Sequence, residues 1–342
     1  MKLNRKASIL FLISLGLYLA LSVVLLLLQP KSTETAFLLN AFMISLPAFL
    51  IPAIIFRRRN RFPISPAPLF GHILLALLLG VGCVLMNEAL SSLNSALFFG
   101  IDISSNSTTA EDILSMSTWS MILSLAIIPP LSEEFLMRGA LLEAWRRYSP
   151  IGAAFLTSLL FALLHCAPSA FMIYFGIGLL LAAIYLITRN VWLTVIVHFV
   201  NNFASVIAAL SLRSQIGADG SASELISESE SVFGALNGTR MGYIGWFIIY
   251  GVIAALFLVP CMMGLVKSCR RRGIGMFAPE TEAAPGEGEA TLTDAILNEQ
   301  ETVPEEKGSM WSDGVLWGVI IVLLVLNIVS GLYEFGVIKF DL

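Results

Sequence analysis

Residues 117–145 read STWSMILSLAIIPPLSEEFLMRGALLEAW, and this stretch decides the fold. It is mostly apolar and longer than the roughly 20 residues that a helix needs to cross a hydrocarbon core. Its centre nevertheless carries Glu133, Glu134 and Arg138. Charged groups at that depth face a protein interior or a water-filled cavity, because lipid excludes them. The stretch therefore predicts a transmembrane helix that other helices enclose.

The rest of the chain has the composition of a membrane protein. Of its 342 residues, 57% are hydrophobic and only 13% are charged, whereas soluble domains are about 25% charged. The apolar runs are too long and too uniform for the strands of a barrel, and helices satisfy every backbone polar group within the segment. The sequence predicts an all-α polytopic transmembrane bundle in a lipid bilayer. The basic residues form short clusters rather than a stripe, which argues against a nucleic acid partner.

The number and direction of the spans follow from the apolar runs and the charges beside them. Nine spans are predicted, at 8–28, 36–56, 70–90, 117–145, 151–166, 170–188, 191–211, 241–266 and 313–338. With a cytoplasmic N-terminus, the basic clusters all fall on the cytoplasmic side, as the positive-inside rule expects; they are Lys2–Lys6, Arg57–Arg61, Arg146–Arg147, Arg189 and Lys267–Arg272. The fifth and sixth spans are short, so we expect eight or nine crossings.

The chain divides into five parts by composition. We expect N-terminal transmembrane helices at 1–114, a core at 115–212, an outer loop with one transmembrane helix at 213–272, a linker at 273–310, and a last transmembrane helix at 311–342. The linker holds nine acidic residues and one lysine. Such a segment buries no core, so we predict a flexible cytoplasmic linker that tethers the last helix.

The charged residues of the fourth span fall into two roles by helical geometry. Glu133 lies 13 residues before Arg146, about 20 Å into the membrane at the rise of a helix. Glu134 and Arg138 are four residues apart and can pair on one face. Glu133 points about 100° away from Glu134 and has no partner in its own helix, so it is available as a general base. The alternative is a structural ion-pair network of all three groups.

Histidines in two later spans extend this set. Phe161 and His165 are four residues apart on the fifth span, and His198 and Asn202 are four apart on the seventh. Each pair shares a helix face. A carboxylate base, imidazoles and an amide are the groups that hydrolysis requires. Two alternatives remain open: a proton relay in a transporter or channel, and a non-catalytic scaffold or immunity protein that works by binding.

In three motifs the chain resembles the CPBP family of intramembrane proteases: Glu133-Glu134-x-x-x-Arg138, Phe161-x-x-x-His165 and His198-x-x-x-Asn202. That family includes the type II CAAX prenyl endopeptidases and the bacterial Abi proteins linked to bacteriocin processing and self-immunity. The resemblance covers about 115–212. It implies an endopeptidase in the bacterial plasma membrane that cleaves membrane-embedded or lipid-anchored peptides.

The resemblance also implies a role for each motif residue. These roles are water activation by Glu133 and His165, support of the carboxylate by Glu134 and Arg138, and donation to the tetrahedral oxyanion by His198 and Asn202. In this scheme no cofactor is required. The alternative is a divalent metal such as zinc, bound by Glu133, His165 and His198. Both schemes use the same residues, so the sequence leaves the choice open.

Counting residues along the helices raises an objection to this site. If the fifth and seventh spans start at one plane, His165 lies about 22 Å deep and His198 about 10 Å deep. Catalytic partners do not differ so much in depth. Helix tilt, an earlier boundary for one helix, or a re-entrant pair formed by the fifth and sixth spans would reconcile the two values.

Three further residues are interpreted as structural. Cys166 follows His165 directly, and neighbours on a helix point about 100° apart, so we expect a small apolar filler rather than a nucleophile. Gly176 and Gly178 are expected to be points of close packing between helices.

Overall fold

The computed structural model describes residues 2–99 apart from 64 and 66, and residues 110–219, 239–277 and 309–335. This part of the chain is helical and contains no strand, which confirms the predicted all-α bundle. Its long helices are α1 (Leu3–Leu28), α2 (Thr33–Arg59), α3 (Phe70–Leu97), α4 (Thr118–Trp145), α5 (Pro150–Leu164), α6 (Phe171–Thr188), α7 (Val191–Asp219), α8 (Arg240–Arg272) and α9 (Gly314–Glu334). A short helix, Ala110–Ser115, precedes α4.

Eight of these described helices are long and apolar enough to cross a membrane. The exception is α5, which has 15 residues and is about 22 Å long. It begins sharply, because the Ser149 side chain accepts a hydrogen bond from the N–H of Gly152 and Pro150 occupies the first turn. It ends at His165, which caps the helix. The site histidine therefore stands at the end of a short helix.

The predicted basic clusters gather at one end of the bundle. Lys6 Nζ donates to the side chain of Asn60 at 3.4 Å, which joins the first two clusters. Arg146 and Arg189 both pair with Glu143, Arg189 at 3.6 Å. We call this end of the bundle the basic end. The shared position of the basic clusters fits the predicted positive-inside pattern. The cytoplasmic orientation of the N-terminus stays a prediction.

The helix α4 contains two π-helical segments near the site. Residues Ile122–Ile127 and Phe135–Leu142 are π-helical, and Ile128–Glu134 between them is α-helical. Pro129 and Pro130 lie in the first turn of that middle segment. Proline has no N–H, so the carbonyls one turn earlier lose their usual donors. Wide turns of this kind are frequent at functional sites in helices.

Three buried clusters of apolar side chains hold the described part of the bundle together. The largest draws mainly on α1, α2, α4, α5, α6 and α9, the second on α3, α6, α7 and α8, and the smallest lies between α4 and α7. The enclosed helix α4 packs against α2, α5 and α7, as its charged centre requires. The last helix, α9, packs against α1 and α5. Most of the predicted linker, residues 278–308, lies outside the described residues.

Candidate active site

The charged pair of α4 is fully buried. Glu134 Oε1 accepts a hydrogen bond from Arg138 Nη1 at 2.7 Å, which confirms the predicted pairing four residues apart. Arg138 Nη2 donates to the carbonyl of Gly178 at 2.9 Å. The guanidinium also lies over the ring of Phe161, 5.0 Å from its centroid. Arg138 thus connects α4 to both α5 and α6. These contacts hold the guanidinium in place, and the guanidinium in turn holds the carboxylate of Glu134.

Glu134 in turn orients His198. Its Oε1 atom lies 3.0 Å from His198 Nδ1, so the carboxylate accepts and Nδ1 carries the proton. The other ring nitrogen, Nε2, then faces Glu133 Oε2 at 3.9 Å. That distance is longer than a direct hydrogen bond. Glu133 Oε2 is buried and makes no hydrogen bond to the described residues.

His165 is held by its own helix and by α6. Its Nδ1 lies 2.7 Å from the carbonyl oxygen of Phe161. A carbonyl only accepts, so Nδ1 donates and Nε2 of the neutral ring is an acceptor. The ring of Tyr174 stacks on His165 with centroids 3.8 Å apart. Sequence reasoning missed Tyr174, because it stands among other aromatic and apolar residues of the sixth span.

The ring of Phe161 lies between the two histidines. Its centroid is 4.7 Å from that of His165 and 5.8 Å from that of His198. Because Arg138 lies over the same ring, Phe161 is in contact with residues of all three motifs. The structure therefore brings five of the six predicted site residues, Glu133, Glu134, Arg138, His165 and His198, to one region of α4, α5 and α7.

The depth objection does not hold, because the structure brings both histidines to one aromatic ring. The Phe161 centroid lies 4.7 Å from that of His165 and 5.8 Å from that of His198. His165 stands at the end of α5, and its ring folds back to the carbonyl one turn earlier. Counting residues along the two helices therefore overestimated the separation of the two histidines.

Asn202 has a contact that the sequence did not predict. Its Nδ2 atom donates to the carbonyl oxygen of Leu125 at 3.0 Å. Leu125 lies four residues before Pro129, which has no N–H to donate to it. The side-chain oxygen of Asn202 accepts a hydrogen bond from Asn201 Nδ2 at 3.2 Å. Asn202 therefore ties α7 to the proline-containing part of α4.

The fit of a metal ion can be tested on the side chains. Within the described residues, no group of three His, Cys, Asp or Glu side chains is arranged to hold a metal ion. The Nδ1 atoms of His165 and His198 are engaged by Phe161 and Glu134. This leaves Nε2 of each ring free, which is also the pattern of metal-binding histidines, so the Nδ1 contacts do not decide the question. The side chains of Glu133, His165 and His198 are not grouped closely enough in this structure to hold an ion, and the chemistry below is written for the chain's own residues.

Cys166 and the two glycines have structural surroundings. Cys166 follows the end of α5 with a left-handed backbone (φ 47°), and its sulfur lies 3.6 Å from the carbonyl of Leu163 rather than against an imidazole. A Cβ atom at Gly178 would lie 3.0 Å from the backbone of Ser158. Gly178 is therefore the predicted point of close packing. At Gly176 an added Cβ would lie 2.7 Å from the end of the Leu90 side chain, so this glycine is also a point of close packing, but against a group that can move.

The fold and the site define a polytopic membrane protein with a buried carboxylate–histidine centre. A family model described as "Type II CAAX prenyl endopeptidase Rce1-like" matches residues 115–204. The match spans α4, α5, α6 and the first half of α7 and includes all three motifs, so the resemblance to the CPBP/CAAX protease family is confirmed for this segment. No curated protein and no solved structure gave a match to the chain.

Proposed function

We propose that the chain is an intramembrane endopeptidase that hydrolyses peptide bonds of membrane-associated peptides with a water activated by glutamate and histidine. One observation carries this proposal. Glu134 holds His198 at 3.0 Å, so that the free imidazole nitrogen faces Glu133 across 3.9 Å. The family match supports a protease of the CAAX type II kind.

Water activation falls to Glu133 and His165. Glu133 Oε2 and His165 Nε2 are both acceptors that no described hydrogen bond uses. The 3.9 Å between Glu133 Oε2 and His198 Nε2 is longer than a direct hydrogen bond, so the carboxylate oxygen stays available to a water. Removal of a proton from that water gives the hydroxide that attacks the peptide carbonyl. A positioned base of this kind contributes about 10²–10⁴-fold in rate.

Stabilisation of the oxyanion falls to His198 and Asn202. Because Nδ1 of His198 donates to Glu134, donation by Nε2 requires the doubly protonated ring. The adjacent carboxylate of Glu134 strengthens such a charged hydrogen bond. Asn202 uses one amide N–H for Leu125, and an amide has two. Loss of one oxyanion donor costs about 10²–10³-fold in kcat.

The protons balance without any co-reactant. The proton taken from water by Glu133 and His165 passes to the leaving nitrogen as the C–N bond breaks. The products are a carboxylic acid and an amine, and the base is restored. Glu134 and Arg138 stay paired throughout and act as positioning residues.

The depth of the site defines the class of substrate. Glu133 and His198 lie within helices long and apolar enough to cross a bilayer. A peptide reaches them by being transmembrane itself or by carrying a lipid anchor in the same bilayer. We therefore propose lipid-anchored or transmembrane peptides as substrates.

The test uses the full chain reconstituted in lipid with a tagged membrane peptide. Glu133→Gln and His165→Ala are expected to lower kcat at least 10²-fold. Glu88→Gln is the matched control, because Glu88 is an exposed carboxylate on α3. Proteolysis that persists in both site variants would show the proposal to be wrong. Proton flux lost in the same variants would favour the transporter, and binding without cleavage would favour the scaffold.

A further inference from the structure

The last helix, α9, carries a row of polar and small residues in an otherwise apolar sequence. Asn327, Ser330, Gly331 and Glu334 are spaced three and four residues apart. Residues at this spacing share one helix face. Polar groups inside a transmembrane helix are usually directed at a specific partner. The helix lies outside the family match at 115–204, so the motifs do not explain this face.

The partner of this face is the turn that joins α5 to α6, residues 163–170. Asn327 Nδ2 donates to the carbonyl oxygen of Leu163 at 2.7 Å. Ser330 Oγ donates to the carbonyl oxygen of Cys166 at 2.5 Å.

The C-terminal part of the same α9 face contacts the rest of the turn. Glu334 Oε2 accepts a hydrogen bond from the backbone N–H of Ser169 at 3.1 Å. Gly331 lies opposite Pro168, where an added Cβ would be 3.4 Å from the proline ring. Two turns of α9 thus hydrogen-bond to or pack against this joining segment.

This turn needs donors and acceptors from elsewhere. The last carbonyls of a helix have no partner within the helix, and lipid supplies none. The left-handed backbone of Cys166 (φ 47°) ends α5 and turns its carbonyl away from the helix. Ser330 donates to that carbonyl, and Asn327 adds a second donor to the carbonyl of Leu163, which also accepts from the N–H of Cys166 at 3.2 Å. The side chains of α9 therefore complete the hydrogen bonding of the turn.

We propose that α9 positions His165 for catalysis by holding this turn. His165 lies between Leu163 and Cys166, the two residues whose carbonyls α9 binds. The orientation of the His165 ring depends on the same backbone. Its Nδ1 atom is hydrogen-bonded to the carbonyl of Phe161, and the face of the ring stacks on Tyr174. The proposal rests on the proposed function, in which His165 activates water. Asn327 and Ser330 are positioning residues that touch no substrate.

The first test compares kinetics in reconstituted full-length protein. Asn327→Leu and Ser330→Ala are expected to lower kcat by about 10- to 100-fold with KM nearly unchanged, because a shift of about 1 Å in a catalytic group costs up to 10²-fold. Ser330→Thr keeps the hydroxyl and is expected to restore most of kcat. Val329→Ala is the matched control, since Val329 is exposed on the same helix. The pH profile of kcat is also expected to shift in Asn327→Leu, because loosening the turn alters the hydrogen bond of His165 to Phe161.

The second test needs no activity and separates this proposal from the proposed function. Amide hydrogen exchange at residues 164–169 is expected to rise in Asn327→Leu and Ser330→Ala and to stay unchanged in Val329→Ala. Unchanged exchange would overturn the positioning role. So would faster exchange with kcat per folded molecule unchanged. If His165→Ala still cleaves peptide, the proposed function fails, and the exchange data still decide whether α9 holds the turn.

Discussion

The carbonyl oxygen of Leu125 accepts a hydrogen bond of 3.0 Å from the side-chain amide of Asn202. The carbonyl is free for this contact because neither Pro129 nor Pro130, four and five residues later, has an N–H. A residue of the third motif thus compensates for a proline that lies outside every motif. Because of this relationship, the contribution of Asn202 to stability can be separated by experiment from its proposed contribution to activity.

Replacing Asn202 by leucine is expected to destabilise the protein by about 1–3 kcal/mol, because the Leu125 carbonyl is left without a donor. Adding Pro130→Ala to that variant returns an N–H five residues after Leu125, the hydrogen-bond spacing of the π-helical segment, and is expected to recover much of the stability. Activity stays low in both, since the amide donor to the oxyanion is gone. Thermal unfolding in detergent and kcat provide the two measurements. A double variant no more stable than Asn202→Leu would contradict this account.

The buried pair of Glu134 and Arg138 gives a second prediction. Glu134→Gln leaves Arg138 charged and poorly paired, and breaking a buried pair in this way costs about 3–5 kcal/mol. Glu134→Gln combined with Arg138→Met removes both charges and is expected to be more stable than Glu134→Gln alone. Neither protein is expected to cleave peptide, because His198 has lost its carboxylate. Cleavage by the double variant would show that the pair is structural only.

Tyr174 is expected to act on His165 through its ring and not through its hydroxyl. Tyr174→Phe retains the stacking and is expected to keep nearly full activity. Tyr174→Ala loses an aromatic contact worth about 0.5–1.5 kcal/mol and is expected to lower kcat about tenfold. Phe175→Leu is the control, because Phe175 stacks on Phe171 and not on His165. A larger loss in Tyr174→Phe than in Tyr174→Ala would mean that the hydroxyl matters.

Cys166 is expected to be dispensable for the reaction. Cys166→Ala removes the sulfur and is expected to retain proteolysis within about twofold, because the proposed nucleophile is water rather than a thiol. Cys166→Gly is also expected to be tolerated, since glycine adopts the left-handed backbone of this position without penalty. Cleavage rates and insensitivity of the parent protein to a thiol-alkylating reagent are the readouts. A 10²-fold loss in Cys166→Ala would revive the cysteine-nucleophile reading.

The two glycines of α6, Gly176 and Gly178, are expected to differ in how well they tolerate substitution by alanine. Gly178→Ala brings a Cβ to 3.0 Å from the backbone of Ser158, and overpacking of this kind costs about 1–3 kcal/mol. Gly176→Ala meets the flexible end of the Leu90 side chain and is expected to cost less. Because the Gly178 carbonyl also binds Arg138, activity is expected to fall only in Gly178→Ala. Equal stability and activity of the two variants would count against this reading.

The helices were predictable from the sequence because membrane spans have a strong signal. The fourth predicted span, 117–145, differs by one residue from Thr118–Trp145, and the sixth and seventh begin within one residue of the observed helices. The pairing of Glu134 with Arg138 was predictable for the same reason, since both lie in one helix. The predicted division into five parts remains a prediction.

Contacts between helices were harder to predict. The position of His198 against Glu134 depends on how α7 packs on α4, a contact between residues 64 apart in the chain. The stacking of Tyr174 and the bond from Asn202 to Leu125 depend on the register between helices, which apolar patterns do not encode. The polar face of α9 did carry a signal, the three- and four-residue spacing from Asn327 to Glu334. It lay outside the family resemblance and was not used.

The enclosed charges of α4 also have a consequence for the order in which the protein is made. Glu134 is synthesised 64 residues before His198, so α4 enters the bilayer before α7 exists. Until α7 arrives, the helix carries Glu133 and an incompletely surrounded ion pair. A nascent chain that stops before residue 198 therefore offers a membrane quality-control protease or chaperone an exposed polar helix. The meeting of Glu134 and His198 therefore bears on biogenesis as well as on the proposed catalysis.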